Sequence, residues 1–315
     1  MQWYWIIVIV VVGLIAPLLL GMYICYRMAF YARPLPRRRP RPEFDLPPGP
    51  AYEPFHPQMT EWIKQTRQIP YEDACITSYD GLKLYGKLYI CDPAAPTEIM
   101  LHGYRSHGDR DMCGAVMRCF RLGRNALIVD QRSSGRSEGH VITFGVKESR
   151  DCRRWVDYLI ERFGENCRII LTGISMGAAT VLITAGGELP KNVISVLADC
   201  GYTTAREMIE KIIREMGLPP RLMFPIVRLG GLLFGGFDIE DASPLRAMET
   251  CRVPVIFIHG EADSFVPCEM SRRNYAACRA EKALYTVPNA EHGLAYPTDG
   301  EGYFRALQAF IEKTE

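Results

Sequence analysis

Apolar residues follow three different rhythms along this chain. Trp3 to Tyr26 is an uncharged, strongly apolar stretch of 24 residues, longer than the ~20 helical residues that cross the hydrocarbon core of a bilayer. Aromatic residues mark both ends, Trp3, Tyr4 and Trp5 at one, Tyr23, Tyr26 and Tyr31 at the other, as in the interfacial belts of membrane helices. The pattern predicts a single membrane anchor over residues 1–31, with Pro17 tolerated inside the span. No basic leading region and no small-residue cleavage pattern accompany it, which argues against a secretory signal. Residues 32–56 lose all periodicity and are rich in proline and arginine. They read as a semi-rigid linker, or alternatively as a proline-rich ligand for partners. Residues 57–315 then alternate short apolar runs with amphipathic ones and are long enough for one sizeable core.

Within that domain, Tyr71–Thr77 and Leu82–Ile90 flank Tyr79-Asp80-Gly81 and predict an antiparallel hairpin. Strand patterns follow at Thr97–Leu101, Ala126–Val129, Arg168–Thr172, Val193–Leu197, from Val253 to His259, and at Ala283–Val287. Helical patterns at Met112–Leu122, Lys147–Phe163 and Met176–Ala185 separate several of them. Such alternation predicts an α/β fold with a mainly parallel, doubly wound sheet and helices on both faces. Residues 202–244 interrupt it: Ile209, Ile212, Ile213 and Met216 fall at helical spacing, and a second apolar run from Leu222 to Phe234 follows. This segment reads either as a cover over a site or as a helix pair packed on the core. No internal repeat is evident.

The formal net charge of +1 conceals an asymmetry. Six arginines, from Arg27 to Arg41, follow the apolar run directly, and without them the remainder carries about −5. The positive-inside rule places their side, and the domain beyond it, in the cytoplasm, where they can also meet anionic lipid headgroups. Eleven cysteines without framework spacing agree with a reducing compartment; paired bridges on an outward-facing domain are the alternative. Nothing in the charge pattern suggests nucleic-acid binding.

Candidate chemistry centres on Gly173-Ile174-Ser175-Met176-Gly177, set between a buried strand pattern and a small apolar helix. G-x-S-x-G in that context is a nucleophile elbow, which projects a serine Oγ over the sheet edge. A serine hydroxyl needs a histidine base oriented by a carboxylate. Only His259 and His292 follow Ser175. Asp263 and His292 each lie just past the C-terminal end of a predicted strand, at the edge where ligands gather in open α/β sheets. Asp199 and Asp241 are rival acids, Asp199 also ending a strand. His102 and His259 precede glycine at strand ends and read as turn residues. His107 lies near the loop after Leu101, as a solvated histidine or a substrate contact; His56 and His140 carry no signal. No metal-ligand spacing and no phosphate-binding glycine loop is present, so no metal or organic cofactor is expected.

Taken in order, Leu101-His102-Gly103-Tyr104, Asp130 to Ser137, Gly173 to Gly177, His259 to Pro267 and Glu291-His292-Gly293 resemble the α/β-hydrolase superfamily from about Tyr71 to the C-terminus. The resemblance implies Ser175 as nucleophile, Asp263 as acid and His292 as base. It also implies an oxyanion hole from the backbone N–H groups of Tyr104 and Met176, and a lid formed by residues 202–244. Arg132-Ser133-Ser134-Gly135 departs from the Arg-Gly-His-Gly common in the family, which bears on the rim of the site more than on its chemistry. The expectation is a membrane-anchored serine hydrolase acting on an ester or thioester of a small-molecule or lipid-like acyl substrate. A peptidase or amidase on the same triad, a non-catalytic binding protein of this fold, and an interaction protein working through its linker are the alternatives.

Overall fold

The computed structural model describes residues 2–32 and 42–314. Eight strands form one sheet: β1 (Glu72–Thr77), β2 (Lys83–Tyr89), β3 (Thr97–Leu101), β4 (Asn125–Val129), β5 (Ile169–Ile174), β6 (Val193–Asp199), β7 (Val255–Gly260) and β8 (Lys282–Val287). Their order across the sheet is β1-β2-β4-β3-β5-β6-β7-β8. The hairpin pairs antiparallel and joins β4 antiparallel, while every pairing from β4 to β8 is parallel. The central strands β3, β4 and β5 are buried almost throughout, which is why they read as continuous apolar runs rather than alternating ones.

Helices α1 (Gln2–Ala29), α2 (His56–Arg67), α3 (Gly108–Asp111), α4 (Ala115–Arg121), α5 (Glu148–Phe163) and α6 (Met176–Ala185) come first. Then follow α7 (Ala205–Glu215), α8 (Pro220–Gly230), α9 (Pro244–Met248), α10 (Cys268–Ala277), α11 (Ala295–Thr298) and α12 (Gly300–Thr314). On one face Trp155 and Leu159 of α5 and Val181 and Leu182 of α6 bury against alternate sheet residues such as Leu84, Ile99 and Phe257. On the other, Tyr303, Leu307 and Phe310 of α12 cover Ile256 and Ile258.

The apolar N-terminal stretch is helical, as α1; among the described residues no single helix is long and apolar enough to cross a membrane, the apolar part extending over Ile15–Ala29. Two other expectations are corrected. First, residues 42–57 are not a bare spacer. Phe44, Leu46, Tyr52 and Phe55 pack with Met59 and Ile63 of α2 and with Cys113 and Leu294, so the folded body begins before residue 57; residues 33–41 lie outside those described. Second, 202–244 packs beside α1 rather than over the cavity. Met208, Ile209, Ile213, Phe224 and Val227 share a core with Tyr26 and Phe30. A Cβ on Gly230 would sit 2.5 Å from the Met22 carbonyl oxygen, so α8 and α1 touch backbone to backbone. Residues just past α1 join the domain too: Ala32 N donates to His140 O at 2.9 Å and Ile142 N to Phe30 O at 2.8 Å.

Candidate active site

Ser175 stands between β5 and α6 with φ 56° and ψ −118°, a backbone conformation costing a non-glycine residue about 1–3 kcal/mol. The turn closes because its neighbours have no side chains. A Cβ on Gly173 would lie 2.2 Å from the Gly177 carbonyl carbon, and one on Gly177 2.0 Å from Leu101 O. Ser175 N donates to Asp199 O at 2.8 Å, fixing the elbow to the end of β6.

The loops after β7 and β8 bring the partners. His292 Nε2 lies 2.9 Å from Ser175 Oγ, and His292 Nδ1 2.7 Å from Asp263 Oδ2. Since the carboxylate can only accept, Nδ1 carries the proton and Nε2 is free to accept from the serine. Asp263 Oδ1 accepts from the N–H groups of Phe265 and Val266 at 2.9 and 2.7 Å. Burial works to raise the Asp263 carboxyl, but hydrogen bonds from His259 and His292, with their charges, outweigh it and hold it at about 2. The acid is therefore ionised throughout the neutral range.

His259 proves more than a turn residue. Its Nε2 donates to Val266 O at 2.8 Å and lies 3.1 Å from Asp263 Oδ2, while Nδ1 accepts from Ser271 Oγ at 2.6 Å. It braces the acid from behind. His102 is a buried turn residue, its Nδ1 donating to Gly103 O at 2.8 Å and its Nε2 accepting from Gln131 N at 3.0 Å. His107 is buried, not solvated, with Nε2 2.8 Å from Asp45 Oδ2. His56 bonds Pro47 O, and His140 stacks on Tyr31.

The loop after β3 passes close to the serine: a Cβ on Gly103 would lie 3.4 Å from Ser175 Cβ. Gly103 N is already used by Asp111 Oδ2 at 2.8 Å. Tyr104 follows it, and Met176 heads α6, where a backbone N–H has no partner within the helix. Two side chains of this loop reach α1. Tyr104 Oη donates to Ala29 O at 2.7 Å, and Arg105 Nη2 to Met28 O at 2.7 Å and Tyr31 O at 3.3 Å, capping the last carbonyls of α1.

A cavity of about 650 Å³ contains Ser175 and His292. Its wall includes Pro47, Tyr52, Met59 and Trp62, from the segment taken for a linker and from α2, and no described lining residue comes from 202–244. Tyr52 Oη donates to His292 O at 2.9 Å. Sequence reasoning missed this roof; aromatic residues recurring within a proline-rich stretch were the available signal. Asp199 is buried and lines the cavity, but its Oδ2 accepts from Tyr303 Oη at 3.1 Å rather than from His292. Asp241 ends a 3-10 turn and does not line the cavity. The donor atoms of Cys200, Asp263 and His292 lie within 4.8 Å of one another. Both His292 nitrogens and Asp263 Oδ2 are already engaged, and burial holds the Cys200 thiol well up, so the group is poorly suited to a metal.

Residues 142–314 match the model of the prolyl oligopeptidase family, Peptidase_S9. The uncharacterized protein YqkD of Bacillus subtilis is 32% identical over 192 residues, covering 61% of this chain and 63% of YqkD. The thiohydrolase aneE of Aspergillus aculeatus is 27% identical over 184 residues, 58% of this chain and 55% of its own. This chain thus spans under two thirds of the length of both. Among solved structures, the Pyrococcus furiosus esterase Pf2001 superposes with a TM-score of 0.63 at 22% identity, over 87% of this chain and 99% of the esterase. That likeness is one of fold, the α/β-hydrolase fold.

Proposed function

Because the chain belongs to the prolyl oligopeptidase family of α/β-hydrolase serine hydrolases, we propose that it cleaves a carboxylic ester or thioester through an acyl-enzyme on Ser175. The observation that carries this reading is the hydrogen-bonded series Ser175–His292–Asp263 inside a cavity. In the first step His292 Nε2 takes the Ser175 proton as Oγ attacks the carbonyl carbon. The N–H groups of Tyr104 and Met176 hold the oxyanion, and Asp263 steadies the imidazolium. His292 then protonates the leaving group, and a water activated by the same nitrogen releases the acid.

An acyl substrate is favoured by the cavity wall, where Pro47, Met59, Trp62 and Phe265 present apolar surface around the few polar groups that would orient a carbonyl. The relative aneE is named a thiohydrolase, which keeps thioesters in view for this chain. We also propose that residues 1–31 hold the protein at a membrane with the catalytic domain on the cytoplasmic side; the uncharged run Trp3–Tyr26 and the arginines after it support this. The family match favours peptidase activity as the second reading.

Fluorophosphonate labelling of the full-length chain in detergent tests the proposal. Wild type should label and Ser175→Ala should not. Absence of labelling in folded wild type would refute the hydrolase reading. Turnover of aryl esters and acyl thioesters, against peptidyl anilides, then separates the two readings.

A further inference from the structure

Deep in the cavity the wall turns polar. Arg118 on α4, Thr172 on β5, Asp199 at the end of β6 and Tyr303 on α12 line it, each more than nine-tenths buried. Most of their polar atoms have partners. Arg118 Nη2 donates to Glu98 Oε2 at 2.7 Å, Thr172 Oγ1 to the same oxygen at 3.0 Å, and Tyr303 Oη to Asp199 Oδ2 at 3.1 Å. Two do not: Arg118 Nε and Asp199 Oδ1 have no hydrogen-bond partner among the described residues. Leaving a buried donor or acceptor unpaired costs its full desolvation, and native interiors rarely accept that without a use. Here the orphans are one donor and one acceptor, on two residues of the wall of the cavity that holds Ser175.

The charges narrow the ligand. Arg124 Nη1 donates to Glu98 Oε1 at 2.8 Å, so two arginines, one glutamate and Asp199 leave this wall close to neutral. It offers little net attraction to a carboxylate or an ammonium. A neutral group that accepts one hydrogen bond and donates another satisfies both orphans, and a hydroxyl is the smallest such group. We propose that Arg118 and Asp199, with Tyr303 holding the carboxylate, form a hydroxyl-binding subsite, so that the substrate bears an alcohol or phenol remote from the carbonyl attacked by Ser175. This rests on the hydrolase reading and adds a specificity to it. The hydroxyl accepts from Arg118 Nε and donates to Asp199 Oδ1. A chain ending in methyl leaves both unpaired, and a site built for a hydroxyl rejects its deoxy analogue more strongly than an apolar pocket rejects an added hydroxyl. Asp199 is thereby a binding residue rather than the triad acid.

The test uses the full-length chain in detergent and two matched ester pairs, one with the terminal hydroxyl or methyl on the acyl side, the other on the alcohol side. In one pair kcat/KM should favour the hydroxyl member by at least about tenfold, and which pair does so tells which half of the substrate reaches the subsite. Asp199→Leu should bring that ratio to about one, and Asp199→Asn, which keeps an acceptor oxygen, should restore part of it. Ratios near one in both pairs, with Ser175 still labelled by fluorophosphonate, would overturn the subsite and leave the hydrolase reading intact. A stronger preference for carboxylate-ended esters would overturn the hydroxyl in favour of an anion. Should no ester turn over, the Tm of Ser175→Ala with hydroxyl-ended against methyl-ended acids and alcohols still reads the subsite, and equal shifts would refute it.

Discussion

Gly177→Ala should cripple the protein without touching a group that does chemistry. The added methyl would lie 2.0 Å from Leu101 O, 2.6 Å from Leu101 C and 2.8 Å from His102 O. All three are backbone atoms at the end of β3, so no side chain can swing aside. An unstrained carbon–oxygen contact is about 3.3 Å or longer, and relief therefore requires α6 and β3 to part by about 1.3 Å. Overpacking in a core costs about 1–3 kcal/mol, with the upper end expected where only backbone can yield. The same movement separates Ser175 on the elbow from the loop that continues β3, whose Tyr104 N–H is proposed to hold the oxyanion. A misplacement of about 1 Å can cost on the order of 100-fold in rate. Gly187→Ala, whose methyl would meet only Thr184 O at 3.5 Å, is the control. Thermal unfolding and the rate of fluorophosphonate labelling are the measurements. Gly177→Ala should lose several degrees in Tm and about 100-fold in labelling rate. If it unfolds with wild type and labels within about threefold of it, the close approach of helix to strand is not what holds the serine.

Asp263→Asn should lower kcat by about 10⁴ by disturbing the His292 tautomer; a loss of under about tenfold would mean another acid serves the histidine. Burial raises the Asp199 carboxyl from its ordinary 3.8 to about 6. Between those values the folded chain keeps a proton that the unfolded chain has lost, so this group's contribution to stability falls as pH rises through that window. Asp199→Asn should therefore gain on wild type between pH 4 and pH 7, by roughly 3 kcal/mol at most. Urea unfolding at the two pH values checks it, and an unchanged difference would refute it. Arg105→Ala removes the donor to Met28 O and Tyr31 O beside Tyr104. It should lower kcat severalfold on a water-soluble ester with little change in KM, and a pure KM effect would count against a positioning role.

The parts of the fold written in short-range pattern were legible in the sequence. Strand β3 and helix α6 match their predicted spans, and the motifs that place Ser175, Asp263 and His292 at one sheet edge follow from strand ends and loop residues alone. What escaped depended on partners distant in the chain. The Met112–Leu122 pattern is helical only over Ala115–Arg121, because Met112 to Gly114 form a turn with Gly114 pressed against Trp62: a Cβ there would lie 2.8 Å from the indole. Apolar residues in 202–244 promised a buried face but not which neighbour would bury it, and Tyr26 and Phe30 answered that. Tyr52 carried no periodicity, because it belongs to an irregular segment whose order comes from packing on α2 and from its bond to the loop of His292. Asp199 looked like a rival acid since strand-end position is visible in sequence, whereas which carboxylate faces Nδ1 is not.

The capping of α1 by Tyr104 and Arg105 has a mechanical consequence. A helix joined to its domain only by flexible chain is a tether, and torque applied to it is lost in the joint. Here the last carbonyls of α1 are gripped by the loop beside Ser175, and its flank is wedged against α8. The helix is a lever with no swivel. Any force that tilts it, from bilayer or from neighbour, arrives within one residue of the backbone that would hold the oxyanion.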